Sequence, residues 1–153
     1  MKKAASLLLA LVMLLSLTAC GSRVIGGAVS STELFVFRGR GDVGEVGVLE
    51  VDSDRYTAAE IDDGVDAVLD YFKKHFSGCT LREVQYIGDE ENSDYLDFAT
   101  RNGADEVMVF SSTFDVDGSG GDGSLNPNST YKNWKWILVR TNGGAWEHVD
   151  HGY

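Results

Sequence analysis

A capped amphipathic helix is the feature that most constrains how this chain can fold. Thr57-Ala58-Ala59-Glu60 has the spacing of a capping box, in which the threonine and glutamate side chains satisfy each other's backbone N–H groups. Apolar residues at helical spacing follow it, namely Ile61, Val65, Val68, Leu69, Phe72 and Phe76. Gly78 is expected to end the helix. A helix with one apolar stripe needs a partner surface, so the rest of the chain must supply a sheet or a second helix.

The sequence after this helix predicts strands rather than a helical bundle. Four segments carry β-favouring residues: Cys79–Ile87 with alternation that indicates a bulge, Glu106–Phe114, Tyr131–Thr141 and Ala145–His151. Asn142-Gly143-Gly144 predicts a hairpin turn between the last two. Shorter elements are also predicted: a strand at Glu33–Phe37, an edge strand at Val46–Val51, a polar loop at Asp89–Ser93 and a short helix at Asp94–Arg101.

This order of elements predicts an α+β fold, with one long amphipathic helix packed on a curved antiparallel sheet. Trp134, Trp136 and Leu138 alternate onto one face of their strand, while Lys135 and Val139 take the other. The tryptophan face is therefore the expected partner of the helix. We expect a single domain over residues 46–153, because that length supports one hydrophobic core.

The N-terminus predicts export. Lys2 and Lys3 precede an apolar run from Ala4 to Leu17, the order of a signal peptide. The run is shorter than the roughly 20 apolar residues of a membrane-spanning helix. Leu17-Thr18-Ala19-Cys20 resembles the bacterial lipobox, and this resemblance implies removal of residues 1–19 and acylation of Cys20. Residues 20–45 are then the lipidated cysteine and a flexible tether, and the protein is extracytoplasmic and lipid-anchored to the cell membrane.

Charge and cysteine content exclude several functions. The formal charge is −11, and loss of residues 1–19 removes two lysines and no acidic residue, which makes it −13. A chain this acidic is repelled by nucleic acid, so the expected partner is the membrane through Cys20 and a protein or cell-wall ligand. A lipidated Cys20 leaves Cys79 without a disulfide partner. We expect Cys79 to be a buried apolar residue rather than a nucleophile.

Two candidate metal sites are visible in the sequence. Asp115, Asp117 and Asp122 lie in a glycine-rich segment and could supply oxygen ligands to calcium, but Asn126 stands where a calcium-binding loop needs a bidentate carboxylate. An acidic turn without an ion is the alternative. His148 and His151 could form a metal pair, but residues three apart in a strand point to opposite faces. We therefore expect two solvated histidines and no resident metal or cofactor.

Aromatic residues offer a third candidate site. Tyr131, Trp134, Trp136 and Trp146 could form a platform for a sugar or a peptide. Large aromatic residues that alternate along a strand are more typical of a core. Exposed rings would instead mark an interaction surface.

From Tyr56 to Tyr153 the chain resembles a group of small bacterial surface lipoproteins of uncharacterised function. The stretches that carry this resemblance include Tyr71-Phe72-Lys73-Lys74, Gly78-Cys79-Thr80-Leu81, Gly120-Gly121-Asp122-Gly123-Ser124-Leu125-Asn126-Pro127-Asn128 and Trp134-Lys135-Trp136-Ile137. The resemblance implies a cystatin-like or nuclear-transport-factor-like domain, and it implies no reaction.

These observations predict a membrane-anchored lipoprotein with a non-catalytic binding or scaffolding domain. Two alternatives remain open. One is a small enzyme with a pocket between helix and sheet, using acids or Cys79. The other is a surface module stabilised by calcium.

Overall fold

The computed structural model of the chain describes residues 40–153. The predicted signal segment 1–19, the lipidation site Cys20 and the predicted strand Glu33–Phe37 lie outside the described residues. Residues 40–153 form an α+β arrangement, which confirms the predicted fold class.

The strands are β1 Gly47–Leu49, β2 Cys79–Tyr86, β3 Glu106–Val116, β4 Thr130–Arg140 and β5 Glu147–Gly152. The helices are α1 Ala58–His75, α2 Asp89–Asn92 and α3 Leu96–Arg101, with a 3₁₀ turn at Ser93–Tyr95 between α2 and α3. All five strands belong to one sheet in the order β1-β2-β3-β4-β5.

The sheet is mixed, so the prediction of an antiparallel sheet is wrong at one edge. Strand β1 runs parallel to β2, whereas β2 to β5 pair antiparallel. The reason is the crossover through α1, which returns the chain in its original direction before β2 begins. The predicted edge strand is confirmed at Gly47–Leu49, and the predicted bulge lies in β2 between Leu81 and Glu83.

Helix α1 begins at the predicted capping box. The Thr57 side chain accepts from the backbone N–H of Glu60 at 3.3 Å, and the Thr57 N–H donates to the Glu60 carboxylate at 2.9 Å. The other oxygen of Glu60 pairs with Arg140 of β4. These contacts lower the pKa of Glu60 to about 2. The hydrogen bond from the Thr57 backbone is the largest cause, and the hydrogen bond from Arg140 is the second. One carboxylate therefore both starts the helix and ties it to the sheet.

The long helix packs on the predicted face of the sheet. Val65, Val68 and Phe72 of α1 share one buried cluster with Trp136 and Leu138 of β4. The approach is close at Gly64, where a Cβ atom would lie 2.7 Å from the Phe110 ring. Glycine is costly inside a helix, but here it allows the helix to reach β3.

A second apolar cluster covers the opposite face of the sheet. Its buried members are Ala99, Val107, Val109, Ile137 and Val139. Segment 89–101 forms this layer, so the prediction of a polar loop at Asp89–Ser93 is wrong. Three acidic residues at the start of α2 favour a helix N-terminus, and buried Asn92 hydrogen-bonds to β3.

Part of the predicted tether lies against the domain. The Gly41 N–H donates to the Lys73 carbonyl at 3.1 Å, and Asp42 forms an isolated bridge with Thr80. A Cβ atom at Gly41 would lie 2.5 Å from the carbonyl oxygen of Phe72, so only glycine fits there. The packed segment therefore includes Gly41 and Asp42, which precede the predicted domain start at Val46.

Over residues 40–153, no helix combines the length and the apolar character needed to cross a membrane.

Candidate functional site

His148 and His151 lie on the same face of the sheet, so the prediction that they point to opposite faces is wrong. In the β4–β5 register, His151 lies opposite Trp136, and His148 lies opposite Leu138. Trp136 and Leu138 share the face that receives α1. A register shift between the two pairs adds one residue to β5 and restores a common orientation.

The two imidazoles contact each other and the aromatic rings of α1. Nδ1 of His151 lies 3.2 Å from Nε2 of His148. Tyr71 stacks on His148 with ring centroids 3.6 Å apart, and its ring centroid lies 4.2 Å from that of His75. Trp136 lies beneath the pair, with ring centroids 5.5 Å from His151. The rings of all three histidines of the chain therefore lie close to the Tyr71 ring, and the most distant, His151, has its centroid 5.6 Å away.

Burial keeps the pair uncharged at neutral pH. The pKa of His148 is lowered to about 4. Desolvation by burial is the largest cause, and the neighbouring His151 is the second. Burial also lowers the pKa of His151. The predicted solvated histidines are thus half-buried, neutral rings, in which one nitrogen of the contact donates and the other accepts.

A cleft of about 90 Å³ adjoins the histidine pair. Its walls come from the end of α1, the start of β2, the loop between β3 and β4, and the edge formed by β4 and β5. The lining includes the side chains of His75, Cys79, Asp122, Trp134 and His151. The loop closes over the start of β2, because Asp117 donates its N–H to the Gly78 carbonyl at 2.9 Å.

Trp134, which lines this cleft, has a buried polar atom without a partner within residues 40–153. Its indole Nε1 is buried and has no hydrogen-bond partner among the residues that the structure describes. The other two tryptophans are satisfied, because Trp136 donates to Ser112 at 2.8 Å and Trp146 to the Glu60 carbonyl at 3.2 Å. A buried N–H without a partner costs about 1–3 kcal/mol, so it is uncommon without a reason.

The predicted aromatic platform divides into core and rim. Trp136 and Trp146 are buried, as expected of core residues. Tyr131 and Trp134 are only partly buried, and the ring of exposed Tyr153 lies 5.2 Å from that of Trp134. The rim of the cleft therefore carries accessible aromatic surface.

Cys79 is poorly suited to nucleophilic chemistry. It is 2% exposed, and its thiol donates to the Ser77 carbonyl at 3.7 Å. Burial, followed by the charges of Asp117 and Asp122, raises the pKa of Cys79 to about 11. The thiolate that a nucleophilic mechanism needs is therefore disfavoured at neutral pH.

The carboxylates considered for calcium each bond to other groups of the protein. Asp115 pairs with Arg82 at 2.8 Å, Asp117 accepts from the Ser119 N–H at 2.7 Å, and Asp122 accepts from the Ser124 N–H at 3.0 Å. The bonds of Asp117 and Asp122 belong to local turns, whereas Asp115 in β3 pairs across the sheet with Arg82 in β2. In residues 40–153, no three His, Cys, Asp or Glu side chains are grouped to hold a metal ion. The calcium hypothesis stays a prediction without geometric support.

Tyr71 and His75 were not predicted from the sequence as members of the site. A signal was present, because residues four apart on a helix lie on one face. The stacking of Tyr71 on β5 depends on the sheet register, which no local pattern reveals.

Searches of known protein-family models, curated proteins and solved structures found no match to this chain.

Proposed function

We propose that this chain is an extracytoplasmic lipoprotein, held at the cell membrane by a lipid on Cys20, whose domain binds a ligand without catalysing a reaction. The order of charge, apolar run and cysteine in residues 1–20 supports the anchor. The observation that supports binding is the unpaired indole N–H of Trp134, a residue that lines an aromatic cleft.

The cleft favours a ligand group of a particular chemistry. The Trp134 N–H calls for a hydrogen-bond acceptor, and the rings of Phe76, Trp134 and His151 offer apolar contact. A volume of about 90 Å³ fits one side chain or part of one sugar ring rather than a whole cofactor. A sugar or a peptide group of a cell-wall or protein ligand has this combination of ring surface and acceptor atoms.

A pocket enzyme is the competing function, because Cys79 and two histidines line the same cleft. The raised pKa of the thiol argues against it. The nearby Asp117 and Asp122 disfavour a thiolate, whereas a reactive cysteine needs cationic neighbours.

The finer fold assignment also belongs to this proposal. We infer a cystatin-like arrangement from α1 lying across the antiparallel part of the sheet, strands β2 to β5. The parallel strand β1 and the layer formed by residues 89–101 are additions to that plan.

The anchor is tested by Cys20→Ser in a bacterial host grown with labelled palmitate. The native chain is expected to carry the label and to sediment with membranes, whereas the variant loses the label because serine offers no thiol for acylation. Cys79→Ala is the matched control and should keep the label. An unlabelled native chain, or a labelled Cys20→Ser chain, would rule out the anchor.

The cleft is tested by thermal unfolding of the full-length chain with cell-wall sugars and peptides. A ligand that binds only the folded state must raise the melting temperature. We expect at least one compound to do so, and Trp134→Phe to lose the shift because it removes the N–H and keeps a ring. Trp146→Phe, which alters a tryptophan bonded elsewhere, should retain the shift. A panel without any shift, or a shift that survives Trp134→Phe, contradicts binding at this cleft.

A further inference from the structure

The two ring nitrogens that face each other in β5 are spaced like ligands of one metal ion. Nδ1 of His151 and Nε2 of His148 lie 3.2 Å apart. Two imidazole nitrogens on a tetrahedral ion, each about 2.0–2.1 Å from it, are separated by about 3.3 Å. We propose that His148 and His151 form a two-histidine site for a transition-metal cation of the Zn²⁺, Ni²⁺ and Cu²⁺ class. This inference is independent of the proposed ligand of the cleft.

The site is held in place before any ion arrives. The extra β5 residue at the register shift aims both rings to one side. Tyr71 stacks on His148, and Trp136 lies under both imidazoles, with ring centroids 6.0 and 5.5 Å away. Rings fixed by packing lose little rotamer entropy when they bind, which favours coordination.

Metal binding requires both facing nitrogens to present lone pairs. A metal ion binds the lone pair of a neutral imidazole, and the two facing nitrogens lie 3.2 Å apart. In the absence of a metal, the N–H of one facing nitrogen donates a hydrogen bond to the other. When the ion binds, that ring changes tautomer: its facing nitrogen gives the proton to water, its second nitrogen takes a proton from water, and both facing nitrogens present lone pairs to the ion.

Charge around the pair also favours a cation. Asp150 acts on both imidazoles as a nearby negative charge, and the exposed Asp122 lies across the cleft that His151 lines. The chain as a whole carries a formal charge of −11. Water completes the coordination of the ion in this two-ligand site. Imidazole nitrogen selects zinc, nickel and copper over calcium and magnesium, which prefer oxygen.

The test is a calorimetric titration of the full-length chain in detergent, purified without a histidine tag, with ZnCl₂ and NiCl₂. We expect one ion per chain and a melting temperature that rises with the ion and falls back with EDTA. His148→Gln and His151→Gln should each weaken binding by about tenfold or more. Asp97→Asn removes an exposed acid of α3, on the other face of the sheet, and should leave binding unchanged.

A second measurement does not depend on how the variants fold. Cu²⁺ added to the isotopically labelled native chain should broaden amide signals around His148 and His151 before those of β2. Absence of saturable binding up to about 1 mM ion, which corresponds to about 4 kcal/mol, overturns the site. Binding that His148→Gln and His151→Gln both leave intact overturns it equally, as does copper broadening centred elsewhere.

Discussion

Trp136→Ala is expected to lower the free energy of unfolding by about 3–5 kcal/mol, the largest single effect in this domain. The side chain is fully buried, and its indole N–H donates to Ser112 at 2.8 Å. Its ring meets those of Phe72 and Phe76 of α1, with centroids 6.0 and 5.0 Å away. Truncation therefore leaves a cavity between helix and sheet and removes the buried partner of Ser112. Urea unfolding followed by circular dichroism measures the loss.

Trp134→Ala provides the control, because Trp134 lies two residues earlier on the same strand and is only partly buried. We expect Trp134→Ala to lower the free energy of unfolding by less than Trp136→Ala does, with a difference of about 1 kcal/mol or more. Equal losses for the two variants would contradict the division of the aromatic residues into core and cleft rim.

Asn92→Ala is expected to destabilise the domain by about 2–3 kcal/mol, because it leaves a buried backbone N–H unpaired. The Asn92 side chain accepts from the Val109 N–H at 2.9 Å and donates to the Val107 carbonyl at 3.0 Å. The carbonyl keeps a second donor, the Tyr56 hydroxyl at 2.7 Å, so most of the loss arises at Val109. Amide hydrogen exchange should show faster exchange at Val109, and urea unfolding gives the total.

Asn102→Ala is the matched control. Asn102 is exposed, and its amide donates to the Phe98 carbonyl at 2.8 Å at the end of α3. An exposed bond of this kind is worth about 0.5–1.5 kcal/mol. If Asn92→Ala lowers the free energy of unfolding no more than Asn102→Ala does, the Asn92 side chain does not replace the hydrogen bonds of a neighbouring strand.

The Asn92 side chain takes the place of a strand beside β3, and this explains why the segment of α2 was predicted as a loop. The ladder between β2 and β3 ends at Tyr86 opposite Phe110, and one further bond runs from the Ile87 N–H to the Val109 carbonyl at 3.2 Å. Beyond that point the side chain of Asn92 takes over the hydrogen bonds that a longer β2 would have made to Val107 and Val109. A pattern of polar residues shows that a segment is surface-exposed. It cannot show that one of its amides is buried against a strand 15 residues further along the chain.

The elements predicted correctly depend on near neighbours in the chain. The capping box at Thr57 and Glu60 and the alternation of Trp134, Trp136 and Leu138 are local signals. The histidine pair was mispredicted because strand geometry was applied without the β4–β5 register. A bulge changes which side chains share a face, and Val149 carries no residue-type signal that would mark one. The candidate site therefore depended on pairing across strands, which the sequence does not display.

The edge strand β1 bears on how copies of this chain behave at high local concentration. It pairs with β2 over three residues only, and its Val48 and Leu49 are each 45% exposed. An apolar edge can recruit a strand from another molecule, and such pairing grows into aggregates. Here the exposed edge is short, and the acids Glu45, Glu50 and Asp52 flank it. Two such edges brought together would oppose like charges, so pairing of two copies through their β1 edges is disfavoured even at high local density.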